Sequence, residues 1–290
     1  MLKVSSNNAN TASRKLNLLT IDVEDWYSDL DIEEWKNYGD RIVQSTNKIL
    51  NILNERNIKA TFFVLGYFAE KYPELIEKII DENHEVASHG YSHSAITKLT
   101  QDEFRNNLSK SIKIIEKITR DNVWGFRAPF FTIIEETSWA IDIMKKMGLK
   151  YDSSIFPFKI YKYGVPDIPL FPYHVSSRNI KKDAIDEEFL EFPPSVYNIP
   201  LINQNIPIAG GFYLRFFPYK FISYGIRKIN RKGFPAVCYT HPWEFDLDHP
   251  RINSIVWYNY YRLNATEKKF KKLLRDFKFT SIRDWIERES

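Results

Sequence analysis

The sequence predicts an α/β fold in which mostly parallel strands alternate with helices. Three observations predict it. Apolar runs of strand length take turns with stretches of helical periodicity. The helix candidates open and close on recognisable boundary residues. The strand candidates end in titratable side chains, and in parallel α/β folds those C-terminal tips share one face where sites form. At 290 residues, 43% hydrophobic and 16% aromatic, the chain can bury one large core.

The elements follow in order. KLNLLTID, residues 15–22, is an apolar run that ends in carboxylates and reads as a buried first strand. RIVQSTNKILNILNERN then places Ile42, Ile49, Ile52 and Leu53 at helical spacing. ATFFVLG, residues 60–66, is rich in β-formers and closes on glycine, which makes a second strand. PELIEKIIDEN begins with Pro73 at a helix start. HEVASHG is a third strand, and it runs straight into a histidine pair. Thr100 followed by Glu103 is a capping box, after which Phe104, Leu108, Ile112 and Ile115 form a core stripe. VWGFRAP is a fourth strand, ETSWAIDIMKKMG a helix closed by Gly148, and LKYDSS a fifth strand ending in Asp152. From about residue 156 to 235 the rhythm breaks into a segment rich in Pro, Tyr and Phe, read as an irregular insertion. It returns with FPAVCYTHPWEFD, a strand ending in His241, and closes on a helix, a short strand and a last helix. Residues 1–14 read as a disordered lead-in and 15–290 as a single domain.

Composition narrows the function classes. The net charge of +4 is scattered, with no basic stripe of the kind a nucleic-acid backbone needs. No run reaches the 18 or so apolar residues of a membrane span. The first residues lack an apolar signal core, so a cytoplasmic location is expected. The single cysteine, Cys238, lies in PAVCYT and reads as a small buried residue.

The polar residues then fall into one pattern. Asp22, Glu24 and Asp25 follow strand one; His89 and His93 follow strand three; Arg127, Asp152 and His241 end later strands. Two imidazoles and a carboxylate with open positions describe a catalytic zinc-like site. A second carboxylate beside an arginine can take a proton from water, and an imidazole opposite can protonate a leaving amine. The chemistry is metal-assisted amide hydrolysis. Trp26, Phe130 and Trp243 flank these positions and are the candidate aromatic walls for substrate. His84, His174 and His249 read as structural or surface residues.

LLTIDVED, ATFFVLG, HEVASHGYSH, GFRAPFF and YTHPWEFD, taken together, resemble the polysaccharide deacetylases, the NodB-homology or carbohydrate esterase 4 family. With YDSSIFP and GGFYLRFFP the set is most similar to a subgroup associated with bacterial exopolysaccharide and surface-glycan clusters. The resemblance implies a distorted (β/α) barrel of about seven strands that removes N-acetyl groups from amino sugars. It implies Asp22 as general base, Arg127 as its partner, His241 as general acid, and His89 and His93 as ligands of a divalent metal, Zn²⁺ first and Co²⁺ as the alternative. A main-chain N–H near Phe130 would meet the oxyanion. Two departures stand out. The family's adjacent Asp pair is replaced by Asp22, Val23, Glu24 and Asp25, which leaves both Glu24 and Asp25 as candidates for the third metal ligand. Asp152 lacks the tryptophan that usually follows it, and either orients His241 or caps a loop. The expected partner is an N-acetylated glycan in a polysaccharide or glycan precursor, with neither nucleic acid nor membrane span involved. The rival readings are hydrolysis of a small cyclic ureide-type amide and a non-catalytic glycan binder.

Overall fold

The structure, a computed structural model, describes residues 16–158 and 163–289. The expected lead-in of residues 1–14 lies outside them. Its frame is a curled, mostly parallel sheet. β1 (Leu16–Val23) lies between β10 (Val237–Thr240) on one side and β2 (Thr61–Val64) on the other. β3 (Glu85–Ser88), β4 (Gly125–Phe126) and β5 (Tyr151–Asp152) continue in parallel from β2. β6 (Tyr173–His174) and β7 (Leu190–Glu191) extend the sheet: β7 runs parallel to β5 and β6 antiparallel to β7. β11 (Lys278–Thr280) joins the start of β1. β8 (Val196–Ile199) and β9 (Gln204–Pro207) form a separate hairpin.

The sheet curls until its ends meet. Leaving β7, the chain crosses Pro193 and Pro194, which cannot supply ladder N–H groups. Ser195 then donates its N–H to the carbonyl of Val237 at 3.1 Å and accepts from the Val237 N–H through Oγ at 2.8 Å. The result is a distorted barrel. The segment expected to be irregular holds more order than its composition suggests. Besides β6–β9 it contains α6 (Phe212–Phe216) and α7 (Tyr219–Arg231). The first half follows the anticipated rhythm, with α1 (Ile42–Asn54), α2 (Gly66–Lys71), α3 (Pro73–Asp81), α4 (Gln101–Thr119) and α5 (Trp139–Lys146). α8 (Thr266–Asp276) and α9 (Ile282–Glu289) close the chain. The capping box on Thr100 and Glu103 forms, and Gly148 ends α5 at φ 86°. None of the helices described is long and apolar enough to cross a membrane.

Strand alternation decides what faces inward. In β1, Leu19, Ile21 and Val23 join the large apolar core shared with the surrounding helices. Leu18 faces the interior with Phe63, Ala87, Tyr151 and Val237, where Ile282 and Trp285 of α9 plug one end. Continuing inward along β1 in steps of two come Thr20 and Asp22. The same step along β3 leads from Ala87 to His89, and along β10 from Val237 to Tyr239 and His241. Apolar residues therefore fill the barrel below, and titratable residues crown the C-terminal tips.

Candidate active site

Asp22 ends the inward row of β1 and is buried. Its Oδ1 accepts from Arg127 Nη1 at 2.7 Å. Arg127 is held on every side: Nη1 also donates to Thr20 Oγ1 at 2.7 Å, Nε to the Ser153 carbonyl at 2.9 Å and Nη2 to Ser153 Oγ at 2.7 Å. Its guanidinium carbon lies 4.3 Å from the Phe63 ring centre. Such a fully bonded guanidinium can move little, and so fixes the carboxylate it pairs with.

One residue beyond the strand, Glu24 points back into the same space. Its Oε2 lies 2.6 Å from His93 Nε2 and 3.9 Å from His89 Nε2. The donor atoms of Glu24, His89 and His93 all lie within 4.8 Å of one another. The histidine loop is shaped by left-handed backbone. Gly90 sits at φ 75°, where a Cβ would come 3.0 Å from Asn107 Oδ1, and His93 at φ 52°. Asn107 of α4 secures this loop, accepting from the Tyr91 N–H and donating to Ser92 Oγ, each at 2.8 Å. Both imidazoles use Nδ1 on main-chain carbonyls, His89 on Arg127 at 2.8 Å and His93 on Ser28 at 2.9 Å. Nδ1 must carry the proton in those bonds, so each Nε2 is left as a lone-pair donor aimed at the other ligand atoms. This is the outer-shell arrangement that metal-binding histidines use. Burial pushes His89 down to about 4, so it is neutral near pH 7. Burial alone would raise the Glu24 carboxyl, but the imidazoles, His93 foremost, hold it well below the usual carboxylate range. Two imidazole nitrogens and one carboxylate oxygen with an open side fit a zinc-type ion.

His241 closes the space from the opposite side. Its Nε2 is 3.9 Å from Asp22 Oδ2 and 3.4 Å from Glu24 Oε1. Its Nδ1 lies 2.6 Å from Glu244 Oε1, and Glu244 Oε2 accepts from Arg215 Nε at 2.8 Å. Trp243 stacks on the imidazole with ring centres 5.3 Å apart and donates Nε1–H to Glu24 Oε1 at 3.3 Å. Burial disfavours the imidazolium, but Glu24, Glu244 and Asp22 outweigh it and carry His241 up to about 9. Asp22, Glu24, His89, His93, His241 and Trp243 line one cavity of about 580 Å³.

With this geometry in place, similarity to known proteins becomes informative. Residues 11–151 match the polysaccharide deacetylase family model. The chain carries a polysaccharide deacetylase domain. Residues 153–287 match a domain of unknown function, DUF3473. A peptidoglycan-N-acetylglucosamine deacetylase of Bacillus cereus is 37% identical over 38% of this chain and 45% of its own length. The chain spans about half the length of the first curated relatives it matches. A Mycobacterium smegmatis crystal structure assigned as a polysaccharide deacetylase superposes with TM-score 0.62 at 21% identity, covering 93% of this chain and 88% of that one. An allantoinase structure superposes with TM-score 0.61 at 14% identity, covering 96% and 90%. At those identities both show the fold alone, and it is the curled α/β barrel described above.

Within the deacetylase domain, the structure brings Asp22, Glu24, His89, His93 and Arg127 to one place, and the DUF3473 half adds His241 and Trp243. Asp25 does not join them. Its Oδ2 accepts from the N–H groups of Arg41 and Ile42 at 2.6 and 2.9 Å, and its Oδ1 from Trp26 at 2.8 Å. It caps α1, facing away from the histidines, so the choice left open between Glu24 and Asp25 falls to Glu24. Asp152 does not orient His241. It accepts from Ser154 Oγ and pairs with Glu191 behind Arg127. Burial raises both carboxyls, Asp152 to about 6 and Glu191 well above the ordinary carboxylate range. Trp26 is no wall of the cavity. It is 3% exposed and packed between Tyr27, Tyr38 and His249. Phe130 is 37% exposed and at φ 57°, with its ring 4.6 Å from that of His93.

Sequence reasoning passed over three residues. Glu244 stands three after His241 in THPWEF, on a 3₁₀ turn that starts at Pro242, and that spacing was the available signal. Arg215 lies within GGFYLRFFP, where no partner for it was legible, and is buried against Glu244. Asp29 carried no motif, and its carboxylate opens into the cavity.

Proposed function

We propose that the protein is a metal-dependent N-deacetylase of an amino sugar in a polysaccharide or glycan precursor. The observation that carries the reading is the convergence of the Glu24–His89–His93 donor set with Asp22 and His241 on one cavity. The family of residues 11–151 and the deacetylase relatives support it. A bound Zn²⁺ or Co²⁺ would polarise the amide carbonyl and lower the pKa of water. The chain's own groups do the rest. Asp22, held by Arg127, takes a proton from the attacking water as its oxygen bonds the acetyl carbon. His241, held protonated by its carboxylate neighbours, delivers a proton to the sugar nitrogen as the C–N bond breaks. Acetate and a free amino sugar leave. Asp22 Oδ2 and His241 Nε2, 3.9 Å apart, stand close enough for base and acid to serve one reacting amide.

The test is acetate release from N-acetylated oligosaccharides, with a cyclic ureide as control substrate. Chelation should abolish it and added Zn²⁺ or Co²⁺ restore it. Asp22→Asn and His241→Ala should each lower kcat by roughly 10²–10⁴-fold. Near-normal rates in either variant, or turnover of the ureide alone, would overturn the assignment.

A further inference from the structure

The wall of the cavity facing the donor set comes from the DUF3473 half. Phe212, Tyr213, Trp257 and Tyr258 form it, and Trp257 is 68% exposed and Tyr258 43%. These rings touch one another. Phe212 meets Trp257 edge-on at 6.3 Å and Tyr258 at 5.8 Å. The backbone beneath them is clamped by Arg215, whose Nη1 donates to the carbonyls of Tyr258, Asn259 and Tyr261 at 3.1, 3.0 and 2.6 Å. The other arm of Arg215 holds Glu244, and through it His241. The aromatic wall and the proton-delivering imidazole therefore share one anchor.

Asp29 links this wall to the donor set. Asn259 Nδ2 donates to its Oδ2 at 3.1 Å, and Oδ1 lies 4.0 Å from His93 Nδ1, which is already engaged by Ser28. The carboxylate thus keeps acceptor capacity towards the cavity beside the apolar ring faces. Among the described residues that line the cavity, Arg215 is the sole Lys or Arg, and its Nε and Nη1 are taken by Glu244 and three main-chain carbonyls. Acceptors and flat apolar faces suit a ligand that brings hydroxyl donors and a carbon-lined face. A carboxylate or phosphate here would confront Asp29 with no second Lys or Arg to meet it, while the protonated His241 is already flanked by Asp22, Glu24 and Glu244.

On the deacetylase reading above, we infer that this wall is a subsite for an uncharged pyranose ring next to the N-acetylated one, with its apolar face on Trp257 and its hydroxyls on Asp29. The DUF3473 half then supplies the stacking face, and Asp29 of the deacetylase half favours neutral oligosaccharides over uronate-bearing ones.

The experiment measures binding to chelated protein by calorimetry and tryptophan fluorescence, so that turnover is not needed. The probes are the tetrasaccharide of β-1,4-linked N-acetylglucosamine and a hyaluronan tetrasaccharide, whose alternate rings are uronates. The neutral probe should bind about tenfold more tightly. Trp257→Ala should weaken it about tenfold, and Asp29→Asn should narrow the gap between the probes. In metal-loaded protein both variants should raise KM more than they lower kcat. Equal binding of the two probes, no binding of either, or wild-type affinities in both variants would overturn the subsite. Acetate release with wild-type affinities in the variants sinks the subsite and leaves the deacetylase reading standing. Sugar binding without acetate release from metal-loaded protein does the reverse.

Discussion

At the scale of single residues, the site is a set of charges whose states are fixed by their neighbours. His241 shows this best. Buried in an apolar setting it would shed its proton, yet three carboxylates carry it to about 9. Glu244 is the partner that touches Nδ1, at 2.6 Å, and it is itself held ionised by Arg215 despite its burial. Glu244→Gln should therefore lower the His241 pKa in chelated protein by about one unit or more, read from imidazole resonances in an NMR titration. An unchanged pKa would show that Glu244 merely packs there. Sequence alone left Asp152, which also ends a strand, between this task and the capping of a loop. What separates the two is side-chain reach. Glu244 returns to His241 within one 3₁₀ turn, whereas Asp152 is turned towards Glu191 and the back of Arg127. Trp26 went the same way: its place beside the carboxylates was legible, but the pocket formed by Tyr27, Tyr38 and His249 that swallows it was not.

At the scale of elements, legibility followed length. The long amphipathic helices and β1 were readable because many residues repeat one signal, and the box at Thr100 and Glu103 fixed the start of α4. β4 and β5 span only two residues each yet were read from the apolar runs around them, whereas β6 and β7, equally short, lie in the segment without rhythm and exist because neighbouring strands hold them. The first strand illustrates how one tip divides its labour. Glu24 and Asp25 are adjacent, so their side chains leave on different faces, Glu24 to the histidines and Asp25 to the start of α1. Two variants should part these roles. Asp25→Ala removes the acceptor of three backbone N–H groups and should lower unfolding stability by roughly 1–2 kcal/mol in denaturant titrations while metal content stays stoichiometric. Glu24→Gln should keep stability near wild type and lose metal on dialysis. If Asp25→Ala loses the ion and Glu24→Gln retains it, the division is reversed.

At the scale of the whole molecule, two family models meet at a boundary near residue 152, yet the barrel does not divide there. β1 is flanked by β10 and β11 from the second half, and α9 plugs the interior under Leu18. Residues 16–152 expressed alone would expose that edge and the apolar floor, and should show no cooperative thermal transition by circular dichroism. A sharp transition would mean that the halves are separate folding units. A second whole-molecule consequence rests on His84, buried where β3 begins. Burial, helped by the charge of Lys59, lowers it from 6.5 to about 4, and its neutral Nδ1 accepts the Ala60 N–H at 3.2 Å. The unfolded chain takes up this proton as pH falls below 6.5, and the folded chain resists until about 4. The stabilising contribution is therefore complete above 6.5 and drains away across that window, by about 3 kcal/mol in all. Asn at this position can keep an acceptor near Nδ1 but has no proton to gain. His84→Asn should therefore lose less stability than wild type between pH 7 and pH 4 in urea titrations at each pH. Parallel pH–stability curves for the two proteins would show that His84 is not a source of acid lability.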